Sequence, residues 1–146
     1  MFPKPSGIVD VLIVPNLLAD AELALHAIYE SGVTNKVHVA INGKDALDFL
    51  LRKSGYAELA GKPHPKLILV DTPSEKAGSE TLRSIRSHAN MQSIPIVVLS
   101  PDPEDSGLAA CYGSGANSCA ERPQDSCEYA ELVQSIARYW LHVNHA

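Results

Sequence analysis

Three apolar runs constrain the fold of this chain more than any other feature of its sequence. They are IVDVLIV (8–14), KLILV (66–70) and IPIVVL (94–99), and isoleucine, leucine and valine dominate them. Near-continuous apolar runs of this length are typical of strands that are buried on both faces, as in a parallel sheet. Because parallel strands need long crossover connections, the segments between the runs are expected to contain helices.

Helical patterns and two weaker strands fill the remaining segments. VHVAI (37–41) predicts a second strand, and residues 116–121 predict a fifth strand by their place in the alternation. Apolar residues at helical spacing predict helices over 20–31, 42–51, 79–90 and 103–112. A last helix begins after Asp125 or Ser126 as its cap and carries an apolar stripe of Tyr129, Leu132, Val133, Ile136, Trp140 and Val143. This alternation predicts an α/β fold in which right-handed crossovers cover both faces of a five-stranded parallel sheet.

The composition suits one domain of ordinary size, since 45% of the 146 residues are apolar and 20% are charged. We expect this domain over residues 8–143, with an N-terminal extension over 1–7 and a C-terminal tail over 144–146. The net charge of -5 disfavours nucleic acid and anionic membranes as partners. No run reaches the length of a membrane span and residues 1–7 have no signal-peptide core, so a cytoplasmic location is expected.

The three cysteines, Cys111, Cys119 and Cys127, include no CxxC pair. An odd number of cysteines in a chain expected in the cytoplasm favours free thiols over a disulfide framework. A redox pair among them is the alternative that the sequence leaves open.

The carboxyl ends of the predicted strands carry the candidate site. In open α/β sheets, ligands bind beyond these ends, where the strand order reverses. The residues there are Pro15 and Asn16 after the first strand, Asp71 after the third, Ser100 after the fourth and Arg122 after the fifth. We therefore expect the functional site among these five residues.

Several segments together resemble the response-regulator receiver domain. They are LIVPNLLADAELALHAIYESG, VHVAINGKDALDFLLRKSGY, PKLILVD, SIPIVVLS and CYGSGANSCAERPQD. The resemblance covers nearly the whole chain and is strongest to single-domain receivers that work with bacterial phytochrome-type histidine kinases. It implies a flavodoxin-like (βα)5 three-layer sandwich with strand order 2-1-3-4-5, and a role in two-component signalling.

The resemblance also implies roles for the strand-end residues. In the family, an aspartate that ends the third strand attacks a phosphohistidine and becomes an aspartyl phosphate. Asp71 occupies this phosphoacceptor position, Ser100 that of a hydroxyl that contacts the phosphate, and Arg122 that of a lysine with the same task. The acidic pair that holds Mg²⁺ in the family maps onto Pro15 and Asn16, so both of its carboxylates are missing.

The missing acidic pair predicts a poor metal site. Mg²⁺ depends on carboxylates and phosphate to offset its dehydration, and Asp71 with one asparagine amide is a weak ligand set. Asp20 and Glu22 are nearby in sequence, but we expect them in the first turn of helix one, where negative charge favours the helix dipole. No cofactor is expected at rest, and only weak Mg²⁺ binding if phosphorylation occurs.

Three further positions differ from the family pattern. Arg122 presents a planar fork where a lysine would present a point charge. The loop after Asp71, TPSEKAG, is one residue short, and its Glu75 is predicted to be a solvated loop residue. Cys119 stands where receivers often carry an aromatic residue that moves with phosphorylation.

Two functions therefore remain open. The first is a degenerate receiver that binds a kinase, another receiver or itself, with Asp71 and Arg122 as an ion pair that organises the loops. The second is a phosphoaccepting receiver that relays a kinase signal through Asp71. The site residues favour the first, and only analogy with the family favours the second. No enzymatic activity is expected, because the sequence has no serine-hydrolase elbow, zinc motif or Walker loop.

The end of the last helix supplies a candidate interface. Tyr139 and Trp140 are adjacent, so they point about 100 degrees apart on a helix, and one can pack on the sheet while the other faces a partner. Aromatic residues are frequent interface anchors. The expected partners are a sensor histidine kinase of the phytochrome type or another receiver, and a homodimer is expected.

Overall fold

The computed structural model describes residues 5, 7–30, 36–72, 75–100 and 112–143, and within these ranges strands alternate with helices. The strands are β1 (Val11–Val14), β2 (Val37–Val39), β3 (Leu67–Asp71), β4 (Ile96–Ser100) and β5 (Ser118–Glu121). The α-helices are α1 (Leu18–Glu30), α2 (Gly43–Leu50), α3 (Glu75–Arg86) and α4 (Ser126–Arg138). Two short 3₁₀ turns (Ser54–Leu59, Ala89–Met91) and a π-helical turn (Tyr139–Val143) complete the described elements.

The five strands form one parallel sheet in the order β2-β1-β3-β4-β5, which confirms the predicted fold class and strand order. The register places Val14 opposite Val70 and Asp71 opposite Leu99. The carboxyl ends of β1, β3 and β4 therefore meet at one edge of the sheet. The strand order reverses at β1 and β3, so this edge is where a ligand site is expected in such a fold.

Two apolar layers cover the sheet, because successive side chains of a strand point to opposite faces. Leu12 and Val14 of β1 belong to one core, which includes Phe49 of α2 and residues of α3. Val11 and Ile13 belong to the other core, which α1 and α4 complete. Every residue of β1, β3 and β4 is buried, and this double burial explains why their sequences are nearly all apolar.

The start of α3 differs from its prediction. The helix begins at Glu75 and not at Ser79, so the prediction that Glu75 lies in a loop is wrong. The first four residues of α3 carry no apolar spacing that would have revealed the helix. Gly78 lies in this turn, where a Cβ atom would stand only 3.0 Å from Cγ2 of Thr72, so the glycine allows α3 to approach the end of β3 closely.

The start of α4 agrees with its prediction. Asp125 is the N-cap residue, and its carboxylate accepts a hydrogen bond from the Glu128 backbone N–H at 3.0 Å. The helix predicted over 103–112 lies almost entirely outside the described residues. Within the described ranges, we find no helix that combines the length and apolar character needed to cross a membrane.

A partly buried group of polar side chains, which we call the Asp45 cluster, connects β2 to α2 and consists of Asp45, Tyr56 and His38. The Tyr56 hydroxyl donates to Asp45 Oδ1 at 2.9 Å and lies 3.1 Å from Nε2 of His38. The other carboxylate oxygen of Asp45 accepts from the Ile41 backbone N–H at 2.9 Å. The ring of His38 stacks on Phe49 at 4.9 Å, so the cluster joins the apolar core.

Candidate functional site

Asp71 is the last residue of β3 and is buried at the carboxyl edge of the sheet. Its side chain is 1% exposed. The hydroxyl of Tyr129, in the first turns of α4, donates to Asp71 Oδ2 at 3.1 Å. Oδ1 of Asp71 has no hydrogen-bond partner among the described residues. One carboxylate oxygen is thus fixed by the protein, and the other is buried and accepts no hydrogen bond from the described residues.

Arg122 follows β5 and contacts residues of several other elements of the site. Its backbone N–H donates to the carbonyl oxygen of Ser100 at 2.7 Å, which fixes the residue beside the end of β4. Its Nη2 lies 2.6 Å from Oδ2 of Asp20, and its Nε lies 3.3 Å from Oδ2 of Asp71. The guanidinium carbon lies 4.8 Å from the centre of the Tyr129 ring, a cation–π arrangement. We call Asp71, Arg122, Asp20 and Tyr129 the Asp71 cluster.

The contacts of Arg122 with the two carboxylates are ionic and lack hydrogen-bond geometry, since neither Arg122 Nε nor Asp20 Oδ2 has a hydrogen-bond partner within the described part of the chain. A bidentate arginine–carboxylate fork would have two aligned N–H···O bonds. The guanidinium instead lies between carboxylates that come from α1 and β3. The side chains of Arg122 and Asp20 are each about one-fifth exposed.

Burial dominates the electrostatics of Asp71. It raises the pKa of this carboxyl from 3.8 to about 6, although the charge of Arg122 and the hydrogen bond from Tyr129 lower it, and the nearby Asp20 adds to the increase. Burial and the charge of Asp71 also raise the pKa of the Tyr129 hydroxyl above its usual value. Tyr129 therefore remains a hydrogen-bond donor throughout the physiological pH range.

The other strand-end residues occupy the same edge in different environments. Ser100 ends β4 and is buried, and its hydroxyl has no hydrogen-bond partner among the described residues. Pro15 is buried and Asn16 is exposed, immediately after β1. Asp20 lies in the first turn of α1, as the sequence predicts, but its carboxylate also reaches the site through Arg122.

The residues present do not fit a Mg²⁺ ion held as in the receiver family. Pro15 has no side-chain ligand atom, and Asn16 is an exposed amide. The carboxylates of Asp20 and Asp71 already contact the same guanidinium. In the part of the chain that the structure describes, no group of three or more histidine, cysteine, aspartate or glutamate side chains could hold a metal ion. While Arg122 contacts both carboxylates, a hard cation with oxygen ligands lacks the donor set it requires.

The cysteine prediction is wrong at one position. Cys119, in β5, is disulfide-bonded and is not a free thiol. A count of cysteines and their spacing does not show which of them the fold brings together, and this is why the sequence misled the prediction. Cys127 is free, as predicted, and its side chain is exposed. Cys111 lies outside the described residues.

Tyr139 and Trp140 differ in burial. Trp140 packs partly against the core formed with α1 and α4, whereas Tyr139 is 48% exposed. Their rings meet edge to face at 5.1 Å. Together they line a surface groove beside β5, with Asn117, Ser118, Ser135 and Ile136. This groove lies outside the Asp71 cluster.

Two members of the site were not assigned to it from the sequence. Asp20 was assigned only to the first helical turn, and Tyr129 only to the apolar stripe of the last helix. A signal exists for Tyr129, because it is a hydroxyl-bearing residue on a face that is otherwise mostly aliphatic, close behind Arg122. No comparable signal exists for Asp20, since the contact depends on how α1 packs against α4.

The chain is similar to known response regulators along most of its length. It is 30% identical over 137 residues to the probable methanogenesis regulatory protein FilR2 of Methanothrix harundinacea. The aligned residues cover 93% of this chain and 86% of that protein. It is 26% identical over 132 residues to the response regulator Rcp1 of Synechocystis, covering 90% of this chain and 88% of that protein. No protein-family model matches the chain.

Solved structures agree with these relatives. The phosphorylated cyanobacterial phytochrome response regulator RcpA superposes with a TM-score of 0.81 at 26% identity, covering 94% of this chain and 97% of that one. The Mn²⁺-bound form of Rcp1 gives 0.80 at 26% identity, covering 93% and 96%. The sheet order and the strand-end aspartate define a receiver-type α/β protein. The chain belongs to the response-regulator receiver family of two-component signalling.

Proposed function

We propose that this protein is a degenerate receiver that acts in a two-component system through contacts with other proteins, with little or no Mg²⁺-dependent phosphorylation of Asp71. The observation that supports this proposal is the contact of one guanidinium, that of Arg122, with both carboxylates of the site. Phosphoryl transfer to a carboxylate brings further negative charge into the pocket, and in enzymes that transfer phosphoryl groups a metal ion offsets this charge. The donor set for such an ion is missing here.

The test is a titration with Mg²⁺ and beryllofluoride, a phosphoryl analogue, followed by NMR spectra of the backbone amides. We expect the amides around Asp71 and Arg122 to keep their positions at millimolar Mg²⁺. Asp71→Asn is the matched control, because it removes the acceptor and nearly conserves the volume. Shifts near Asp71 in the wild type that disappear in Asp71→Asn would contradict the degenerate function.

A second candidate function is that of a phosphoaccepting receiver, in which Asp71 takes the phosphoryl group from a histidine kinase. A specific observation favours it, since Asp71 Oδ1 and the Ser100 hydroxyl are both buried without hydrogen-bond partners in the described residues. These are the two groups that would meet a phosphoryl group. Incubation with acetyl phosphate and Mg²⁺, read by intact-mass spectrometry, distinguishes the candidates, because only the phosphoaccepting function produces a phosphorylated species that Asp71→Asn lacks.

The proposed partner is a sensor histidine kinase of the phytochrome type, in the cytoplasm, or another receiver. Support comes from a structural relative, RcpA, which is a phytochrome response regulator. In either case the chain acts as a signalling protein and not as an enzyme.

We further propose a homodimer that uses Tyr139 as an anchor. The support is an aromatic ring that is about half exposed beside a groove at the edge strand β5. Sedimentation velocity of Tyr139→Ala is the test, and Tyr29→Ala is its matched control, because Tyr29 is exposed to 49% on α1. We expect dimer dissociation in Tyr139→Ala alone. Equal dissociation constants for both variants would argue against this interface.

A further inference from the structure

The Asp71 cluster has the charge pattern of a cation site, and its cation is a side chain. Two carboxylates from different elements, Asp20 of α1 and Asp71 of β3, contact the guanidinium of Arg122 at 2.6 Å and 3.3 Å. The guanidinium is backed by the face of the Tyr129 ring at 4.8 Å. Arginine remains charged at every physiological pH, so this cation is always present.

A divalent ion and this guanidinium exclude each other in the pocket. Two like charges in van der Waals contact repel each other strongly in a partly buried pocket, and the repulsion doubles when one of them is divalent. Mg²⁺ would also have to give up hydration water, for which the site offers few oxygen ligands. The guanidinium has neither disadvantage, because it is weakly hydrated and is held by the chain itself.

The carboxylate of Asp71 keeps one ligand atom available. Tyr129 fixes Oδ2 by a hydrogen bond of 3.1 Å, and this contact sets the orientation of the carboxylate. Oδ1 has no hydrogen-bond partner among the described residues, although the side chain is only 1% exposed. A buried carboxylate oxygen that accepts no hydrogen bond from the described residues is unusual, and it is a candidate ligand atom for a cation.

We propose that Arg122 takes the place of the divalent metal in this pocket, and that Asp20 and Asp71 form a latent divalent-cation site that Arg122 closes. The inference rests on the proposed function and deepens it, because it names the group that makes the receiver degenerate. It also assigns Asp20 as the second carboxylate ligand, in place of the acidic pair missing at Pro15 and Asn16.

The test is Mn²⁺ binding, measured by the relaxation of water protons, in the wild type and in Arg122→Ala. We expect Arg122→Ala to bind Mn²⁺ at least tenfold more tightly than the wild type. The double variants Arg122→Ala/Asp20→Asn and Arg122→Ala/Asp71→Asn should lose most of this gain. Lys66→Ala is the matched control, since Lys66 lies 3.8 Å from a carboxylate of Asp10 and its loss changes the net charge equally.

Three outcomes would overturn the proposal: equal Mn²⁺ affinity of the wild type and Arg122→Ala, an equal gain in Lys66→Ala, or a gain that survives in both double variants. Arg122→Gln, which keeps most of the side-chain stem, repeats the experiment if Arg122→Ala fails to fold, as judged by circular dichroism. No phosphoryl donor is used. Phosphorylation of the wild type would therefore contradict the degenerate function separately from this result.

Discussion

In the Asp45 cluster and in the Asp71 cluster, a tyrosine hydroxyl donates to an aspartate, at 2.9 Å and 3.1 Å respectively. Asp45 uses its second oxygen to accept from a backbone N–H, and its residue is only partly buried. Asp71 leaves its second oxygen without a partner in the described residues and is almost fully buried. The first carboxylate stabilises a helix start. The second, that of Asp71, lies where burial disfavours its ionised form, and such an environment is typical of functional positions.

The largest effect that separates the two clusters should come from replacing each aspartate by asparagine. At pH 8 we expect Asp71→Asn to stabilise the protein by up to about 3 kcal/mol, because the pKa increase of Asp71 to about 6 corresponds to about 1.4 kcal/mol per pH unit. Asp45→Asn should instead destabilise it by about 1 kcal/mol, since an amide has one acceptor oxygen for two donors. Urea unfolding measures both. Destabilisation by Asp71→Asn at pH 8 would contradict the comparison.

The stability difference between Asp71→Asn and the wild type should depend on pH, and the sign of this dependence follows from the pKa of Asp71. The pKa of Asp71 is raised on folding, from 3.8 to about 6, so the folded state binds the proton more tightly than the unfolded state does. The contribution of Asp71 to stability is therefore fully present below pH 4 and is lost as the pH rises to and through about 6. The stability difference between Asp71→Asn and the wild type should grow over this window. If this stability difference does not change between pH 4 and pH 8, burial does not raise the pKa of the Asp71 carboxyl.

A smaller effect is expected when each tyrosine is replaced by phenylalanine. Tyr56→Phe removes the hydroxyl that contacts both Asp45 and His38, and should reduce the free energy of unfolding by about 1 to 2 kcal/mol. Tyr129→Phe removes one hydrogen bond to ionised Asp71 and should reduce it by about 1 kcal/mol at pH 8. It should also raise the pKa of Asp71 further, as ¹³C NMR of the carboxyl carbon can measure. A lowered pKa would mean that the hydroxyl does not stabilise the carboxylate.

The fold was predictable because its signals are local and mutually consistent. The apolar runs at residues 8–14, 66–70 and 94–99 are typical of strands buried on both faces, and parallel strands need long crossover connections, which are usually helical. The polar start of α3 escaped prediction because its position is fixed by the close approach of Gly78 to Thr72, which is a tertiary contact. The disulfide at Cys119 escaped for the same reason.

The site was predictable only in part. Strand ends are visible in a sequence, so Asp71, Ser100 and Arg122 could be placed at one edge of the sheet before the structure was known. Asp20 and Tyr129 reach that edge from helices, and their direction depends on how α1 and α4 pack. Helical residues that point into a strand-end site are therefore the ones that sequence analysis alone does not identify.

The smallest effect, and the one that tests whether the Asp71 cluster is more than a surface ion pair, concerns Asp20. Because Arg122 and Asp20 are each about one-fifth exposed, Asp20→Asn should reduce the free energy of unfolding by about 1 kcal/mol or less. Glu30→Gln breaks the exposed pair of His26 and Glu30 and serves as the control, with a loss near zero. Urea unfolding at low and high salt compares them. The loss in Asp20→Asn should persist in high salt because the pair is partly shielded from ions. A loss that disappears with salt would place Asp20 outside the cluster, and Arg122 would then be the partner of Asp71 alone.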